Sequence, residues 1–367
     1  MNPDLQKSFK GRSVFVTGHT GFKGSWLTLW LHRLGAKVTG YALAAPSMPN
    51  NFEVSRVRGA LAAHHEADIR DAEKLKSAMS TAQPDFIFHL AAQSLVRESY
   101  LSPRETFDTN VIGTVSVLDA VRSLRRPCTV IVVTSDKCYE NREQVWGYRE
   151  SDPLGGFDPY SASKGMTELA VASYRNSFFS PERLGDHGVK LATVRAGNVI
   201  GGGDWAKDRI IADAVASLSA TQSVQVRNPR AIRPWQHVLE PLSGYLQLAA
   251  AMQSSNDGSL CSGWNFGPRS GDEAPVGALI EAFCREWGGG KWEDASDPGQ
   301  PHEASILRLN IDKAISKLAW LPRWNFIKTV RRTASWYLAY VQNPAGNMMD
   351  SCMADINDYE SADVPNE

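Results

Sequence analysis

The sequence predicts an α/β protein with a doubly wound parallel sheet and a smaller C-terminal α/β substrate lobe. Short β-branched apolar runs alternate with longer helical patterns through the first two hundred residues. These runs are continuous rather than alternating with polar residues, which is typical of parallel strands covered on both faces. A glycine-rich turn follows the first run, and Pro and Gly interrupt the pattern after residue 198. With 367 residues, 43% of them hydrophobic, the chain can bury a large core.

The predicted elements follow one another in βαβ order, which implies right-handed crossovers in one sheet. Strands are predicted at residues 13–16, 37–41, 85–90, 129–134 and 190–195, and helices at residues 25–34, 72–80, 106–124 and 161–176. We expect a dinucleotide-binding domain at 1–198, with returning elements at about 235–268, and a substrate lobe at 199–234 and 269–343. Residues 344–367 hold six acidic side chains and no basic one, which predicts a disordered acidic tail.

Composition excludes several classes of partner. The net charge of −1 provides no basic field for nucleic acid or an anionic membrane. The five cysteines are dispersed without a CxxC pair, which favours reduced thiols over a disulfide framework or a metal site. The first ten residues are polar and the first apolar run is too short to span a bilayer, so we expect a cytoplasmic protein without a membrane segment.

Residues 17–24 read TGHTGFKG between the first predicted strand and the first predicted helix. In this Rossmann-type arrangement Gly18 allows the tight turn, Gly21 lets the backbone approach a pyrophosphate, and Gly24 lets the helix pack on the strand. We expect the whole turn to bind a dinucleotide through Gly18, Thr20, Gly21, Phe22, Lys23 and Gly24. The second predicted strand ends without the usual acidic residue for the ribose, so NAD and NADP both remain open. For the same reason Lys23 faces either a ribose phosphate or the pyrophosphate.

Tyr160 and Lys164 form a YxxxK pair on one face of a predicted helix. A nearby ammonium stabilises phenolate, so we expect Lys164 to lower the pKa of Tyr160 and make it a base at neutral pH. The pair lies downstream of a strand that runs into Ser135 and Asp136.

These blocks resemble the extended short-chain dehydrogenase/reductase family: TGHTGFKG, DIRD at 68–71, HLAAQ at 89–93, TNVIGT at 109–114 and YSASK at 160–164. Recognisable features continue to about Ala319. The resemblance implies NAD as cofactor and assigns the adenine side to Asp68 and Ile69. It also implies that Lys164 holds the nicotinamide ribose, and that the rest of the cofactor meets Leu90, Ala91, Ala92 and Thr109.

Within the family, VVTSDKCY at 132–139 resembles the nucleotide-sugar 4,6-dehydratases, which carry a hydroxyl–carboxylate pair that simple epimerases lack. The resemblance implies that Tyr160 removes the hydroxyl proton while carbon 4 of the hexose is oxidised, and that Ser135 is a further catalytic residue. Asp136 then protonates the departing hydroxyl at carbon 6. Lys137, where many relatives have Glu, is either the base for carbon 5 or a structural charge.

SDK at 135–137, RAGNVIGGGDW at 195–205, RPWQHV at 233–238 and WNFGP at 264–268 resemble the branch that converts CDP-D-glucose to CDP-4-keto-6-deoxy-D-glucose. Such products feed deoxysugar, surface-polysaccharide and lipopolysaccharide O-antigen synthesis. Trp205 and Trp235 are candidates for the base pocket. The expected substrate-binding residues are Gln93, Asn198, Arg209, Arg233 and His302.

Two alternatives stay open: a dehydratase or 4-epimerase of a dTDP-, GDP- or UDP-sugar, and a non-catalytic dinucleotide sensor. The family also implies a homodimer, in which the helices predicted at 106–124 and 161–176 pair with a second copy in a four-helix bundle.

Overall fold

A seven-stranded parallel sheet forms the centre of the computed structural model, which describes residues 3–297 and 306–363. The strands are β1 Ser13–Thr17, β2 Lys37–Ala42, β3 Ala63–Glu66, β4 Phe86–His89, β5 Cys128–Val133, β6 Val189–Ala196, β7 Val199–Ile200, β8 Val224–Val226, β9 Ile232–Arg233, β10 Gln236–His237, β11 Gly263–Phe266, β12 Ala274–Pro275 and β13 Trp292–Asp294. The main sheet has the order β11-β6-β5-β4-β1-β2-β3, and the short strands pair as β10-β7, β12-β9 and β13-β8. The predicted doubly wound sheet is therefore confirmed, including the return of residues 263–266.

Helices cover both faces of this sheet. They are α1 Pro3–Phe9, α2 Phe22–Arg33, α3 Asn51–Val54, α4 Ala72–Ala82, α5 Val96–Leu101, α6 Pro103–Phe107, α7 Gly113–Leu124, α8 Pro159–Ser177, α9 Leu184–His187, α10 Ile210–Ser219, α11 Leu239–Ser254, α12 Val276–Trp287, α13 Asp312–Leu318, α14 Phe326–Gln342 and α15 Met349–Ser361. A π-helical turn, Asp108–Ile112, joins α6 to α7. Across residues 3–297 and 306–363, every helix is too short or too polar to span a bilayer.

Alternate residues of each central strand pack into opposite cores. In β1, Val14 and Val16 join the cluster that contains Trp26 of α2, whereas Phe15 joins the cluster on the other face. Each of these side chains is fully buried. Burial on both faces explains why the central strands read as continuous apolar runs. The sheet order reverses between β1 and β4, and a crevice at such a switch point is where open α/β sheets bind ligands.

The prediction of a disordered tail is wrong for residues 349–361, which form α15. Cys352, Ile356 and Tyr359 recur at helical spacing and are almost completely buried, so the acidic helix carries an apolar face. The Tyr359 hydroxyl donates to Glu240 Oε2 at 2.6 Å, and Trp30 Nε1 donates to Glu360 Oε1 at 2.9 Å. The division into a dinucleotide-binding domain and a substrate lobe stays a prediction.

Candidate active site

The glycine-rich turn is tightly enclosed by backbone on two sides. Gly18 has φ +75°, and a Cβ at this position would lie 2.7 Å from the amide nitrogen of Ala91. A Cβ on Gly24 would lie 2.1 Å from the carbonyl oxygen of Gly18. A Cβ on Gly21, in contrast, would meet only the Gly18 oxygen at 3.4 Å. The turn is thus packed beneath Gly18 and Gly24 and open over Gly21.

The open side coincides with the start of α2. The helix begins at Phe22, and its N-cap residue is Gly21, which has no side chain to cap the first amides. Thr20 is turned away from this space, because its hydroxyl donates to the carbonyl oxygen of Leu43 at 2.8 Å. A helix N-terminus with uncapped amides attracts anions, so this turn fits the pyrophosphate of a dinucleotide. Next to it, Thr17 Oγ1 accepts hydrogen bonds from the amides of Leu90 and Ala91 at 3.2 Å each and fixes the exit of β4.

The residues expected to line the adenine present few polar groups to a ligand. The Asp68 carboxylate is engaged by the Arg70 guanidinium, with Nη2 donating to Oδ2 at 2.6 Å. The Ile69 side chain is buried against Gly113, where a Cβ would lie 2.5 Å from Ile69 Cδ1. At the end of β2 there is no carboxylate, as the sequence indicates. Thr109 lies within the π-helical turn and is partly exposed.

Tyr160 and Lys164 lie together in the first two turns of α8. The helix is capped by Asp158, whose Oδ1 accepts from the amide of Ser161 at 2.9 Å. Lys164 Nζ lies 6.0 Å from the centroid of the Tyr160 ring, and both residues are buried. Burial raises the pKa of Tyr160 to about 12 and lowers the pKa of Lys164 to about 8. The expected lowering of the phenol pKa is therefore wrong for this structure, because desolvation outweighs the opposing influence of Ser135 and Arg209.

The segment after β5 forms a short 3₁₀ turn, Asp136–Cys138. The Ser135 hydroxyl donates to Asp136 Oδ1 at 2.9 Å and accepts from the Lys137 amide at 3.2 Å. Asp136 Oδ2 is buried without a hydrogen-bond partner among the described residues, and a Cβ on Gly197 would lie 3.2 Å from it. Burial raises the pKa of Asp136, against the opposing charge of Lys137. A raised pKa favours the protonated carboxyl, which is the form that a general acid requires.

The Lys23 ammonium interacts electrostatically with side chains that are expected to be catalytic. Burial lowers the pKa of Lys23 to about 8, and the charge that opposes this shift most strongly is that of Asp136. Arg209 and Lys164 push the Lys23 pKa further down, whereas Asp204 raises it. The ammonium thus interacts with Asp136, the residue expected to protonate the leaving hydroxyl, and the assignment of Lys23 to a ribose phosphate or to the pyrophosphate stays a prediction.

The residues expected to bind the substrate differ in exposure and in their contacts within the protein. Arg209 is about half exposed and extends from the start of α10, where Nη2 donates to the Ser94 carbonyl at 3.4 Å. Arg233 is buried, and its charge lowers the pKa of Asp136, so both guanidiniums act electrostatically on the catalytic groups. Asn198 lies between β6 and β7 and is partly buried. Its backbone carbonyl accepts from the backbone amide of Gln236 at 3.1 Å. His302 lies outside the described residues.

Gln93 and the two candidate tryptophans have structural partners. The Gln93 side-chain Nε2 donates to Thr106 Oγ1 at 2.9 Å and to the Leu95 carbonyl at 3.0 Å. The side-chain Oε1 of Gln93 accepts from the backbone amide of Leu95. Trp235 is buried and donates to the Ala274 carbonyl at 3.0 Å. Trp205 packs edge-on against Trp336 of α14, with the ring centroids 5.6 Å apart. These contacts account for the three side chains without a ligand.

Asn110 is a residue that the sequence analysis did not single out. Its Oδ1 accepts from the backbone amide of Gln93 at 2.8 Å. Its Nδ2 donates to the backbone carbonyl of Gln93 at 3.0 Å and to Ser163 Oγ at 2.8 Å. The buried side chain therefore ties the π-helical turn to α8 between Tyr160 and Lys164. Helical periodicity does not reveal such a residue, although Asn110 lies inside the TNVIGT block that carries the family resemblance.

Comparison with known proteins shows similarity to nucleotide-sugar dehydratases and epimerases. A family model described as GDP-mannose 4,6 dehydratase matches residues 15–333. CDP-glucose 4,6-dehydratase of Salmonella typhimurium is 49% identical over 98% of this chain and 99% of its own length. dTDP-glucose 4,6-dehydratase of Streptomyces antibioticus is 28% identical, with coverage of 89% and 92%.

Solved structures share the fold at lower identity. The dTDP-glucose 4,6-dehydratase of Bacillus anthracis, solved in complex with NAD, has a TM-score of 0.74 at 20% identity and covers 90% of this chain and 97% of its own. A UDP-glucose 4-epimerase of Stenotrophomonas maltophila has a TM-score of 0.77 at 21% identity, with coverage of 90% and 99%. The chain therefore belongs to the extended short-chain dehydrogenase/reductase family, in the group described as GDP-mannose 4,6 dehydratase.

Proposed function

We propose that this chain is a nucleotide-sugar 4,6-dehydratase, a hydro-lyase that converts CDP-D-glucose to CDP-4-keto-6-deoxy-D-glucose. The observation that carries the proposal is the approach of two groups of side chains at the carboxyl end of β5, an interior strand of the sheet, where a hydrogen bond of Ser135 acts on Tyr160. Tyr160 and Lys164 come from α8, and Ser135, Asp136 and Lys137 come from the end of β5. The identity of 49% to the Salmonella typhimurium CDP-glucose 4,6-dehydratase supports cytosine as the base of the nucleotide.

The elimination needs an acid for the departing hydroxyl and a base for the carbon 5 proton. Asp136 is the acid, since burial raises its pKa and its buried Oδ2 has no hydrogen-bond partner among the described residues. Lys137 is the base, and its charge lowers the pKa of the neighbouring Asp136. Tyr160 acts as the phenolate and receives the proton of the carbon 4 hydroxyl, which leaves it a neutral phenol. The Lys164 ammonium stabilises the phenolate before this transfer.

NAD fits the residues that are present. The space over Gly21 and the uncapped start of α2 would hold the pyrophosphate, while Leu90, Ala91 and Ala92 would line the nicotinamide half. When bound, NAD would supply the acceptor for the hydride of carbon 4 and the donor of hydride to carbon 6. Lys164 would hold the nicotinamide ribose, and the edge with Asp68 and Ile69 would hold the adenine. The expectation of NAD rather than NADP rests on the relatives, because β2 ends without a carboxylate.

The direct test is incubation of the protein with CDP-glucose and NAD. We expect a 4-keto product that absorbs in alkali, formed without net reduction of NAD because the hydride is returned. UDP-, GDP- and dTDP-glucose are the matched controls and should turn over at least tenfold more slowly. Turnover of one of these sugars in preference to CDP-glucose would refute the assignment of the base.

We further propose that the enzyme is a cytoplasmic homodimer that supplies deoxysugars for surface polysaccharides such as O-antigen. Support for the dimer comes from apolar side chains that remain exposed on and beside α8 and α7. Ile112, Met166, Leu169 and Phe178 have exposed fractions of 54%, 45%, 60% and 44%. A second copy applied to these helices would bury them in a four-helix bundle. Light scattering should give a dimer mass for the native protein and a monomer mass for Leu169→Arg.

A further inference from the structure

A buried ion pair lies directly behind the proposed catalytic groups. Glu168 is one turn beyond Lys164 on α8, and Arg195 is near the end of β6. The two side chains are each 4% exposed. Their contact is bidentate, with Arg195 Nε donating to Oε1 at 2.9 Å and Nη2 donating to Oε2 at 2.8 Å. This geometry is the strongest that a guanidinium and a carboxylate can form.

Two threonine hydroxyls complete the coordination of the Glu168 carboxylate. Thr134, which follows β5, donates to Oε1 at 2.5 Å, and Thr193 of β6 donates to Oε2 at 2.7 Å. Each carboxylate oxygen therefore accepts two hydrogen bonds. One carboxylate on α8 consequently fixes the ends of two neighbouring strands of the sheet.

The other side of the Arg195 guanidinium reaches the segment that follows the catalytic turn. Arg195 Nη1 donates to the Tyr139 hydroxyl at 2.7 Å, and that hydroxyl donates to Asn265 Oδ1 of β11 at 2.7 Å. The turn of Ser135, Asp136 and Lys137 is thus held at both ends. Thr134 holds its entrance and Tyr139 holds its exit, and both contacts lead to the same ion pair.

Net stabilisation is a weak explanation for such a pair. Two charges lose their hydration on burial, and apolar residues of similar volume often serve stability as well or better. What apolar residues cannot supply is a fixed direction and distance between three segments of backbone. Alignment matters to the proposed reaction, because a displacement of about 1 Å in a reacting group costs on the order of 100-fold in rate.

We propose that Glu168 and Arg195 are positioning residues that hold the turn of Ser135, Asp136 and Lys137 in register with Tyr160 and Lys164. Neither residue of the pair touches the reacting atoms. Thr134 passes this constraint to the turn, because it immediately precedes Ser135. The proposal rests on the dehydratase function proposed above and adds the element that aligns its two groups of catalytic side chains.

The two threonines provide matched variants. Thr134→Val and Thr193→Val each remove one hydroxyl from the same carboxylate and keep the side-chain volume, but only Thr134 leads into the catalytic turn. We expect similar losses of melting temperature in both variants. We expect kcat to fall at least tenfold in Thr134→Val, with KM for CDP-glucose within twofold of the native value, and to stay within twofold in Thr193→Val. Thr134→Ser restores the hydroxyl and should restore kcat.

Amide hydrogen exchange of a peptide that covers residues 135–139 tests the same proposal without any substrate. This exchange should be faster in Thr134→Val and unchanged in Thr193→Val. Equal kcat and equal exchange in the two valine variants would overturn the positioning role and leave the ion pair a purely structural element. Failure of the native protein to turn over any nucleotide sugar would refute the proposed function instead, and the exchange comparison would still decide the role of the pair.

Discussion

Substitution of Gly21 and Gly24 by alanine separates cofactor binding from folding. Gly21 has φ −77° and ψ 170°, which alanine adopts readily, and its added Cβ would meet only the Gly18 oxygen at 3.4 Å. Such a replacement reduces the freedom of the unfolded chain and typically stabilises a protein by about 0.4–1 kcal/mol. The methyl group would, however, fill the space over the start of α2. Alanine is also a poorer N-cap residue than glycine, so the two effects on stability oppose each other. We therefore expect a melting temperature close to the native value and at least tenfold weaker NAD binding, about 1.4 kcal/mol.

Gly24→Ala is the opposite case. Its Cβ would lie 2.1 Å from the Gly18 oxygen and 2.7 Å from the His19 Cα, and neither backbone atom can move without opening the turn. Overpacking of this kind costs about 1–3 kcal/mol, so the melting temperature should fall. Calorimetric titration with NAD and thermal melts without NAD measure the two effects separately. Native NAD affinity in Gly21→Ala, or native stability in Gly24→Ala, would refute the reasoning.

Three further predictions concern the proposed general acid Asp136 and the contact of α15 with Glu240 through Tyr359. Asp136→Asn should reduce the yield of alkali-absorbing ketone at least 100-fold while substrate binding persists, because general acid catalysis is worth about 10²–10⁴-fold; native turnover would contradict this role. Tyr359→Phe removes the donor 2.6 Å from Glu240 and should lower the free energy of unfolding by about 1–3 kcal/mol in urea titrations. Burial raises the pKa of Glu240 from 4.5 to about 7, so the folded state binds this proton more tightly than the unfolded chain. Stability from this group is therefore lost as pH rises from about 4.5 to 7, by about 3 kcal/mol, and Glu240→Gln should show a correspondingly weaker pH dependence of unfolding.

The fold could be predicted largely because its central strands are buried on both faces and therefore apolar throughout. The apolar pattern does not predict β3, because this strand lies at the edge of the sheet and is only partly buried. Its sequence, Ala-His-His-Glu, is therefore mostly polar. The helix α15 was missed because its acidic composition outweighed the spacing of Cys352, Ile356 and Tyr359, which a periodicity count would have found.

The residues of the proposed catalytic site could be predicted from the YxxxK spacing and from the family resemblance, but their electrostatics could not. The phenol pKa of Tyr160 depends on how much water its surroundings exclude, and a sequence does not state that quantity. The electrostatic interaction of Lys23 with Asp136 likewise joins two segments that are far apart in the sequence, and spacing along the chain does not reveal it. Gln93 was expected to face the substrate, yet Leu95 and Thr106 engage its amide, because local backbone geometry brings them within hydrogen-bond distance.

The contact of α2 with α15 has a consequence for biosynthesis. Trp30, on the helix that follows the glycine-rich turn, completes its hydrogen bonding with Glu360, a residue synthesised 330 positions later. During translation the apolar side of α2 thus stays uncovered by its final partner until most of the polypeptide has left the ribosome. Exposed apolar surface in such an incomplete chain is a substrate for chaperones and a nucleus for aggregation. A translation product that stops before residue 349 would carry every residue of the proposed catalytic site and still lack the helix that covers α2.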